Sequence, residues 1–266
     1  MQDPRFQLIT PLETQNYEDL VSGLATVAWP EFMLHDPVAD ELWSRLFTIF
    51  PEYQFALLDV STNRVAAMGN SLALNWDGNP EDLPEGGWDW AFQQAVSDHN
   101  QGLQPRTQCA IQIAIHPDYR NQGLSAGMVK AMRDIGWQKG FTRLIAPVRP
   151  NQKSSYPLID IDDYISWKTE EGLPFDAWLR VHARLGAKIV KACHHAMEIR
   201  GTRAEWETWT GLKFPGSGRY ILPGGLVPMS MDTQSNQGVY IEPNVWTVHQ
   251  LAGDKNLSRS NKLSGV

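Results

Sequence analysis

The sequence predicts a mixed α/β fold (α+β), with one central sheet flanked by helices. Strand-like apolar runs alternate with segments of helical periodicity along the chain. Two of these runs, Cys109 to Ile115 and Thr142 to Val148, are joined by a helical segment from Gln122 to Lys139, as in a parallel strand pair with a crossover helix. With 266 residues the chain can bury a large core.

The N-terminal elements follow from residue spacing and from helix and turn signals. A strand is predicted from Phe6 to Thr10 and a helix over residues 14–28, where apolar residues recur at helical spacing. Asp36 or Asp40 could cap a second helix, which Pro51 ends. Two strands follow, Gln54–Val60 and Arg64–Leu74, with the hairpin turn Ser61-Thr62-Asn63 between them.

Residues 76–107 interrupt this pattern, because they are rich in Gly, Pro and Asp. We interpret them as an insertion with a short helix from Trp88 to Ser97. Long insertions in compact domains often act as lids over a site. Alternatively, tryptophans such as Trp76 and Trp90 simply anchor the loop to the body of the domain.

The C-terminal half is predicted to hold a second irregular insert at about residues 151–174, a helix from Phe175 to Leu185 and a strand from Ala187 to Ile199. Beyond it, an extension could complete the sheet, cover a substrate pocket or pair two subunits in a homodimer. The predicted organisation is one domain over residues 1–199, an extension packed on it over 200–256, and a flexible tail over 257–266.

Composition narrows the functional classes. The chain has 23 Lys and Arg against 30 Asp and Glu, a net charge of −7, and no long basic run, which argues against a nucleic-acid or anionic-membrane surface. No apolar stretch approaches the roughly 20 residues of a membrane span, and the N-terminus does not resemble a secretory signal. We expect a cytoplasmic protein in which the two cysteines, Cys109 and Cys193, are buried thiols.

One motif lies at the corner between the 109–115 strand and the helix after it. It reads His-Pro-Asp-Tyr-Arg-Asn-Gln-Gly-Leu-Ser-Ala and places Arg120, Gly123 and Ser125 at the start of the helix. The first turn of a helix offers unpaired N–H groups and the positive end of the helix dipole, which attract phosphate. Gly123 lets a ligand approach the backbone closely, and Arg120 adds a charge. A tight turn without a ligand is the alternative.

This motif resembles the acyl-CoA signature of the GNAT superfamily of N-acetyltransferases, R/Q-x-x-G-x-G/A, with Ser125 in place of the usual Gly or Ala. The order of elements over residues 6–199 is also similar to that superfamily. The resemblance implies that the two strands splay apart and that the pantetheine arm of acetyl-CoA, or of another acyl-CoA, lies between them against Ile113 and Ile115. It implies a pyrophosphate on the backbone amides of Asn121, Gln122, Gly123, Leu124, Ser125 and Ala126.

The resemblance also suggests catalytic groups. The superfamily commonly has a tyrosine on the later helix that protonates the leaving thiolate, and His182 occupies that position. A histidine with its ordinary pKa near 6.5 would suit this role, although His182 could instead only order the sulfur or pack in the helix. Asn151 matches an asparagine that the superfamily often has after the second strand, and we expect it at the CoA site.

The insert at 151–174 is the predicted acceptor-binding segment. Acids and aromatic residues are interleaved in it, and such a surface would suit a cationic amine by charge and cation–π contact. A solvated acidic loop is the alternative. We expect Asp176 to cap the next helix rather than act as a base. The candidate substrate-binding residues are Tyr156, Asp162, Asp163, Tyr164 and Trp167.

The sequence thus predicts an acyl-CoA-dependent acyltransferase that acetylates an amine of a small molecule by direct attack in a ternary complex. The alternatives are a domain that passes the acyl group to another thiol or decarboxylates it, and a non-catalytic acyl-CoA-binding module. No metal site is expected, because adjacent residues on a strand, His194 and His195, point to opposite faces.

Overall fold

The computed structural model describes residues 3–251. Within this range it defines eight helices and nine strands, besides short 3-10 turns. The helices are α1 (Tyr17–Ala28), α2 (Pro37–Leu42), α3 (Arg45–Thr48), α4 (Gly87–Asn100), α5 (Leu124–Gln138), α6 (Ile161–Ser166), α7 (Ala177–Arg184) and α8 (Arg203–Thr210). The strands are β1 (Phe6–Ile9), β2 (Gln54–Asp59), β3 (Arg64–Leu74), β4 (Thr107–Ile115), β5 (Arg143–Val148), β6 (Lys188–Gly201), β7 (Gly218–Tyr220), β8 (Met229–Asp232) and β9 (Gln237–Gln250).

The strands form one mixed sheet flanked by helices, as predicted. Their order is β1-β2-β3-β4-β5-β9-β8-β7, and β6 pairs with the other edge of β9. Among the described strands β4 and β5 are the one parallel pair, with α5 as their crossover, and the other pairs are antiparallel. None of the helices within residues 3–251 has the length and apolar character to cross a membrane.

Most predicted elements lie within three residues of their predicted bounds, and two predicted caps are confirmed. The Asp36 carboxylate accepts a hydrogen bond from the Ala39 amide at 2.9 Å. Asp176 accepts from the amides of Trp178 and Leu179 at 2.9 and 3.0 Å. The single helix predicted before Pro51 is instead two short helices. Between α2 and α3 the backbone forms hydrogen bonds to the third residue back, as from the Leu46 amide to the Trp43 carbonyl.

Within the segment predicted as an insertion, residues 76–107, helix α4 packs into the core. This helix is longer than predicted and buries Trp88, Ala91, Phe92 and Ala95, which lie at i, i+3, i+4 and i+7 on one face. The tryptophan Trp88 therefore anchors this helix to the body of the domain. The loop-like composition of the segment concealed this spacing, since two of the four residues are alanines.

The C-terminal extension completes the sheet. Strand β9 lies between β5 and β6, with Val245 opposite Val148 on one side and opposite Ala192 on the other. Of the three alternatives for the extension, the structure thus shows completion of the sheet, since the strand that joins β5 to β6 lies beyond residue 199. The predicted tail at 257–266 lies outside the described residues.

Helix α5 packs closely on the sheet at Gly136. A Cβ atom there would overlap the side-chain oxygen of Gln108 and lie 2.8 Å from Leu251 Cδ1. The Gln108 side chain cannot move aside easily, because its Nε2 donates to Ser71 Oγ at 2.9 Å and to the Met132 carbonyl at 3.1 Å. Helix α5 can therefore pack this closely on β4 only because residue 136 has no side chain.

We expect Gly136→Ala to destabilise the protein by roughly 1–3 kcal/mol, because the overlap outweighs the gain of about 1 kcal/mol that alanine brings to a helix interior. Thermal unfolding checks this. The matched control is Gly23→Ala in α1, where nothing lies within 4 Å of the added Cβ. A rise in melting temperature for both variants would contradict the packing described here.

Candidate active site

The centre of the sheet opens because β4 and β5 diverge. Paired residues between them are limited to Gln108 with Leu144 and Cys109 with Ile145, at the start of each strand. Beyond these pairs both strands continue without pairing to each other. The predicted splay is confirmed.

A β-bulge in β4 contributes to the divergence. The register between β3 and β4 shifts after Asn70, so Ile111 has no opposite residue. The carbonyl of Ile111 instead accepts a hydrogen bond from the Trp88 indole at 2.9 Å. The bulge therefore fixes α4 against the opening.

A cavity of about 930 Å³ fills the opening. Its lining comes from several elements. We call the part from β4, the start of α5, β5 and α7 the first wall, and the part from the end of α1, α2, α4 and β9 the second wall. The lining includes Trp29, Met33, Asp40, Trp43, Trp88, Ile113, Ile115, Arg120, Asn121, Leu124, Ser125, Arg149, Asn151, Trp178, His182, Met197, Glu242 and Asn244.

The predicted CoA-binding residues are divided between the cavity and its rim. Seven of the ten line the cavity, and Gln122, Gly123 and Ala126 do not. The Gln122 side chain accepts from Arg5 Nη2 at 2.7 Å and donates to the Asp118 carbonyl at 3.1 Å. The lining residues are Ile113, Ile115, Arg120, Asn121, Leu124, Ser125 and Asn151.

The turn before α5 depends on left-handed backbone conformations. Asn121 has φ 60° and Gly123 has φ 75°, and Gly123 is the residue before the first turn of α5. Nothing lies within 4 Å of a Cβ atom built on Gly123, so the space over the amides of this turn is open. An anion could reach these N–H groups directly.

His182 lies on α7 and lines the cavity. Its side chain is buried, and the ring of Trp178 lies edge-on to it with centroids 4.6 Å apart. The Nδ1 atom lies 2.9 Å from Nε2 of His249 on β9, while Nε2 has no partner among the described residues. Burial lowers the pKa of His182 to about 3 and that of His249 to about 4. Both rings are therefore neutral at pH 7.

Asn151 holds the start of α7 beside this histidine. Its side-chain oxygen accepts a hydrogen bond from the Trp178 amide at 3.2 Å. The residue also lines the cavity. Asn151 thus links the end of β5 to the helix that carries His182.

The second wall carries acidic side chains. Glu242 is fully buried and forms a two-point ion pair with Arg149, whose Nε and Nη2 donate to its two oxygens at 2.6 and 3.0 Å. The Tyr240 hydroxyl donates to Glu242 at 2.7 Å. Asp40 lines the same wall and is exposed to the cavity. This wall therefore holds more negative than positive charge.

Two more carboxyl groups lie beside this wall. Burial raises the pKa of Asp36 to about 6, helped by the charges of Asp40 and Glu242. Burial, and then the charge of Asp36, raises the pKa of Asp89 to about 8. Each carboxyl group has one buried oxygen without a hydrogen-bond partner among the described residues, Oδ2 of Asp36 and Oδ1 of Asp89.

The predicted acceptor-binding segment reaches the cavity only at its start, through Asn151 and Ser154, and none of the five candidate substrate-binding residues lines the cavity. Tyr164 is buried and donates to Asp176 at 2.8 Å, so it helps to hold α7. Its ring packs with Tyr156 and Trp167 in an aromatic cluster. Asp163 is exposed on α6, and Asp162 bonds to His194 at 2.9 Å. The rest of the segment supports the site from outside.

His194 has carboxylate neighbours that the sequence did not reveal. Its Nδ1 lies 2.9 Å from Glu85, its Nε2 lies 2.9 Å from Asp162, and Asp160 is close by. His195 lies apart and contacts Glu198 at 2.5 Å. The His194 group is exposed, and its histidine and carboxylates pair with one another.

The sequence analysis missed the acidic wall and the second histidine. The signals were polar residues within apolar runs: Glu242 in Tyr-Ile-Glu-Pro-Asn-Val-Trp, His249 in Val-Trp-Thr-Val-His, and Asp89 between two tryptophans. A buried charge or imidazole needs a partner, and the partner of each lies far away in the sequence.

The chain is similar to known proteins in sequence. The model of the Acetyltransferase (GNAT) family matches residues 27–160, about half of the chain. The arginine N-acetyltransferase avaD of Aspergillus versicolor is 31% identical over 249 residues, which cover 84% of this chain and 85% of that protein.

Solved structures with the same fold have lower identity. The loading GNATL domain of CurA from Lyngbya majuscula superposes with a TM-score of 0.61 at 20% identity, covering 92% of this chain and 98% of that one. The GphF GNAT-like decarboxylase in complex with isobutyryl-CoA gives a TM-score of 0.55 at 14% identity, covering 93% and 100%. These similarities concern the fold.

We expect Gly123→Val to weaken acetyl-CoA binding at least tenfold, about 1.4 kcal/mol. The new side chain strains a left-handed residue and fills the open space over the amides. Calorimetric titration measures this. Gly102→Val is the matched control, since Gly102 has φ 68° and nothing within 4 Å of an added Cβ, but follows α4 instead of preceding α5. Equal affinity for both variants would show that the turn does not hold the cofactor.

We expect Asp89→Asn to stabilise the protein more at pH 9 than at pH 5. The pKa of Asp89 is raised from 3.8 to about 8, so between these values the folded protein keeps a proton that the unfolded chain releases. Stability contributed by this group is therefore present at low pH and is lost as the pH rises through about 8. Urea unfolding at both pH values measures this, with exposed Asp163→Asn as the control. A gain that is larger at pH 5 would contradict the assignment.

Proposed function

The chain belongs to the acetyltransferase (GNAT) family, and from this premise we propose how it acts and on which acceptor. It is an acyl-CoA-dependent N-acetyltransferase. In the reaction an amine nitrogen bonds to the thioester carbonyl carbon, the carbon–sulfur bond breaks, and the proton lost by the amine ends on the CoA sulfur. The proposal concerns the groups that assist each step.

Direct attack in a ternary complex is supported by the placement of the thiols. A covalent relay would need a reactive cysteine in the cavity. The only two cysteines, Cys109 and Cys193, are fully buried and do not line it. Burial raises the pKa of Cys193 to about 12, so its thiol is not ionised at neutral pH. The amine therefore attacks the thioester itself.

The acyl-CoA lies against the first wall, with its thioester near His182. Because burial lowers the pKa of His182 to about 3, the ring cannot act as an imidazolium acid at pH 7. The expectation based on an ordinary histidine pKa is therefore replaced by a different role: the neutral ring donates a hydrogen bond from Nε2 to the sulfur as negative charge develops there.

The acceptor lies against the second wall, and the acidic surplus of that wall is the observation that carries this assignment. At neutral pH the Arg149 charge offsets only one of the carboxylates around it, whereas Asp40 and Asp36 add further negative charge. The rings of Trp29, Trp43 and Trp88 line the same region. Carboxylates and aromatic faces together favour an ammonium or guanidinium group.

A cationic amino acid fits these features. The relative at 31% identity is an arginine N-acetyltransferase. An arginine-like acceptor would place its guanidinium group at the acidic wall and its α-amine towards the thioester. The acidic wall acts mainly on the affinity for the acceptor, because its carboxylates are not at the reacting atoms.

The purified protein should release CoA thiol from acetyl-CoA with arginine, and much more slowly with citrulline. Citrulline keeps the α-amine and α-carboxylate but has an uncharged side chain. Thiol release followed at saturating acetyl-CoA measures the difference. Equal rates for the two amino acids would refute guanidinium recognition, and binding of acetyl-CoA without thiol release for any amine would refute N-acetylation.

We expect the variant Asp36→Asn/Asp40→Asn to raise KM for the cationic acceptor about tenfold or more, with kcat and KM for acetyl-CoA little changed. Asp40 lines the cavity, and Asp36, with a pKa of about 6, is mostly ionised at neutral pH. Asparagine keeps the helix cap at position 36, so the change removes charge with little effect on the fold. Steady-state kinetics with arginine measure this.

Asp162→Asn/Asp163→Asn, in the segment that sequence alone favoured, is the matched control. It should leave the acceptor KM unchanged. An increase with this control and none with the cavity variant would place the acceptor at α6 instead.

A further inference from the structure

The histidine at the cavity is one of a pair. His182 Nδ1 and His249 Nε2 are 2.9 Å apart, both side chains are buried, and the rings are inclined at 50°. Since both rings are neutral, one proton lies between these two nitrogens. One ring donates it and the other accepts it.

The direction of this hydrogen bond decides what His182 presents to the cavity. If His249 donates, the proton of His182 is on Nε2, and the cavity receives an N–H donor. If His182 donates, its Nε2 carries a lone pair, and the cavity receives an acceptor. A donor stabilises a leaving thiolate, whereas a lone pair repels it.

Arg133 supplies the preference between these two states. Its guanidinium group bonds to the carbonyls of Leu185 at 3.0 Å and Gln250 at 3.4 Å, which places it between the end of α7 and the residue after His249. The charge of Arg133 adds to burial in lowering the pKa of His249, so the two groups are within electrostatic range.

Two buried atoms without hydrogen-bond partners favour the same tautomer of His249. Within residues 3–251, Nε of Arg133 and Nδ1 of His249 are both buried without a hydrogen-bond partner. Arg133 Nε–H can only donate, so the complementary state of His249 has its lone pair on Nδ1 and its proton on Nε2. A proton on Nδ1 would instead place a second donor near the charge of Arg133.

We propose that His249 is a positioning residue: held by Arg133 in the Nε2–H form, it donates to His182 Nδ1 and so keeps the Nε2–H of His182 directed at the leaving sulfur. This inference rests on the proposed function of His182. During transfer the C–S electron pair goes to sulfur, the proton lost by the amine ends on that sulfur, and the Nε2 proton of His182 stays on the ring. No charge is created on either histidine.

If His249 served only to fill space, substitutions at position 249 would have different effects. An apolar residue of similar size at position 249 would fill the same volume on β9, but it would leave Nδ1 of His182 without a donor. Glutamine keeps an N–H at about the distance of the imidazole Nε2. The two substitutions therefore separate volume from hydrogen bonding.

The first experiment reads the tautomer without any turnover. In protein labelled with 15N-histidine, two-bond nitrogen–hydrogen correlation spectra show which nitrogen of each neutral ring carries the proton, and the spectrum of His182→Gln assigns the His182 signals among the seven histidines. We expect the Nε2–H form at His182 in the wild type. An Nδ1–H form at His182 would overturn the proposal.

The second experiment measures kinetics with acetyl-CoA and arginine. We expect His249→Leu to lower kcat on the order of 10- to 100-fold, with KM for acetyl-CoA within about twofold, and His249→Gln to restore most of kcat. Equal loss in both variants, or no loss in His249→Leu, would overturn the proposal. Thermal unfolding and acetyl-CoA titration of both variants show whether either has a folding defect. If one does, the tautomer of His182 in the wild-type spectrum decides whether the proposal stands.

The two proposals fail in different ways. If the wild-type protein releases no thiol with any amine, the proposed function fails, whereas the tautomer of His182 can still be read in the resting protein. If thiol release is normal and His182 carries its proton on Nδ1, only the role of His249 fails.

Discussion

The divergence of β4 and β5 is the constraint on which the site depends. Two parallel strands that stayed paired would leave no room in the sheet, whereas these two are paired only at their first residues. Separation has a cost, since backbone N–H and C=O groups along the open edges need partners. Trp88 meets one of these needs at the bulged Ile111, and an extended ligand with amide groups could meet others.

Strand β9 keeps the opening from closing or spreading. It pairs with β5 on one edge and with β6 on the other, so the strand next to the cavity is fixed from the far side. Because the side chains of successive strand residues point to opposite faces of the sheet, β9 contributes side chains to both faces. His249 faces α7 and its histidine, whereas Trp246 faces α4 and contacts the Trp90 ring, with centroids 6.1 Å apart. Glu242, near the other end, brings charge to the acidic wall.

The buried carboxyl groups around the cavity differ in how fully their oxygens are hydrogen-bonded. Glu242 is fully buried but compensated, because Arg149 and Tyr240 satisfy its oxygens. Asp36 and Asp89 each keep an oxygen without a partner, and burial raises the pKa of both. A group left in this state reduces stability, and such groups gather at functional sites because they interact strongly with a ligand of opposite charge. The acidic wall is therefore costly to the empty protein and favourable to a cation.

The sequence by itself determined the local elements and the turn before α5. The spacing of apolar residues, the caps at Asp36 and Asp176 and the motif around Gly123 are local signals, and each depends on residues within a few positions of one another. The tertiary structure decided which distant side chains lie around the same cavity as this turn. The pairing of His182 with His249 joins residues 67 positions apart, and that of Arg149 with Glu242 joins residues 93 apart. Composition favoured the acidic insert as the acceptor site, but its acids Asp162 and Asp163 do not line the cavity. Composition is a property of a segment, whereas a binding site is set by which segments the sheet brings together.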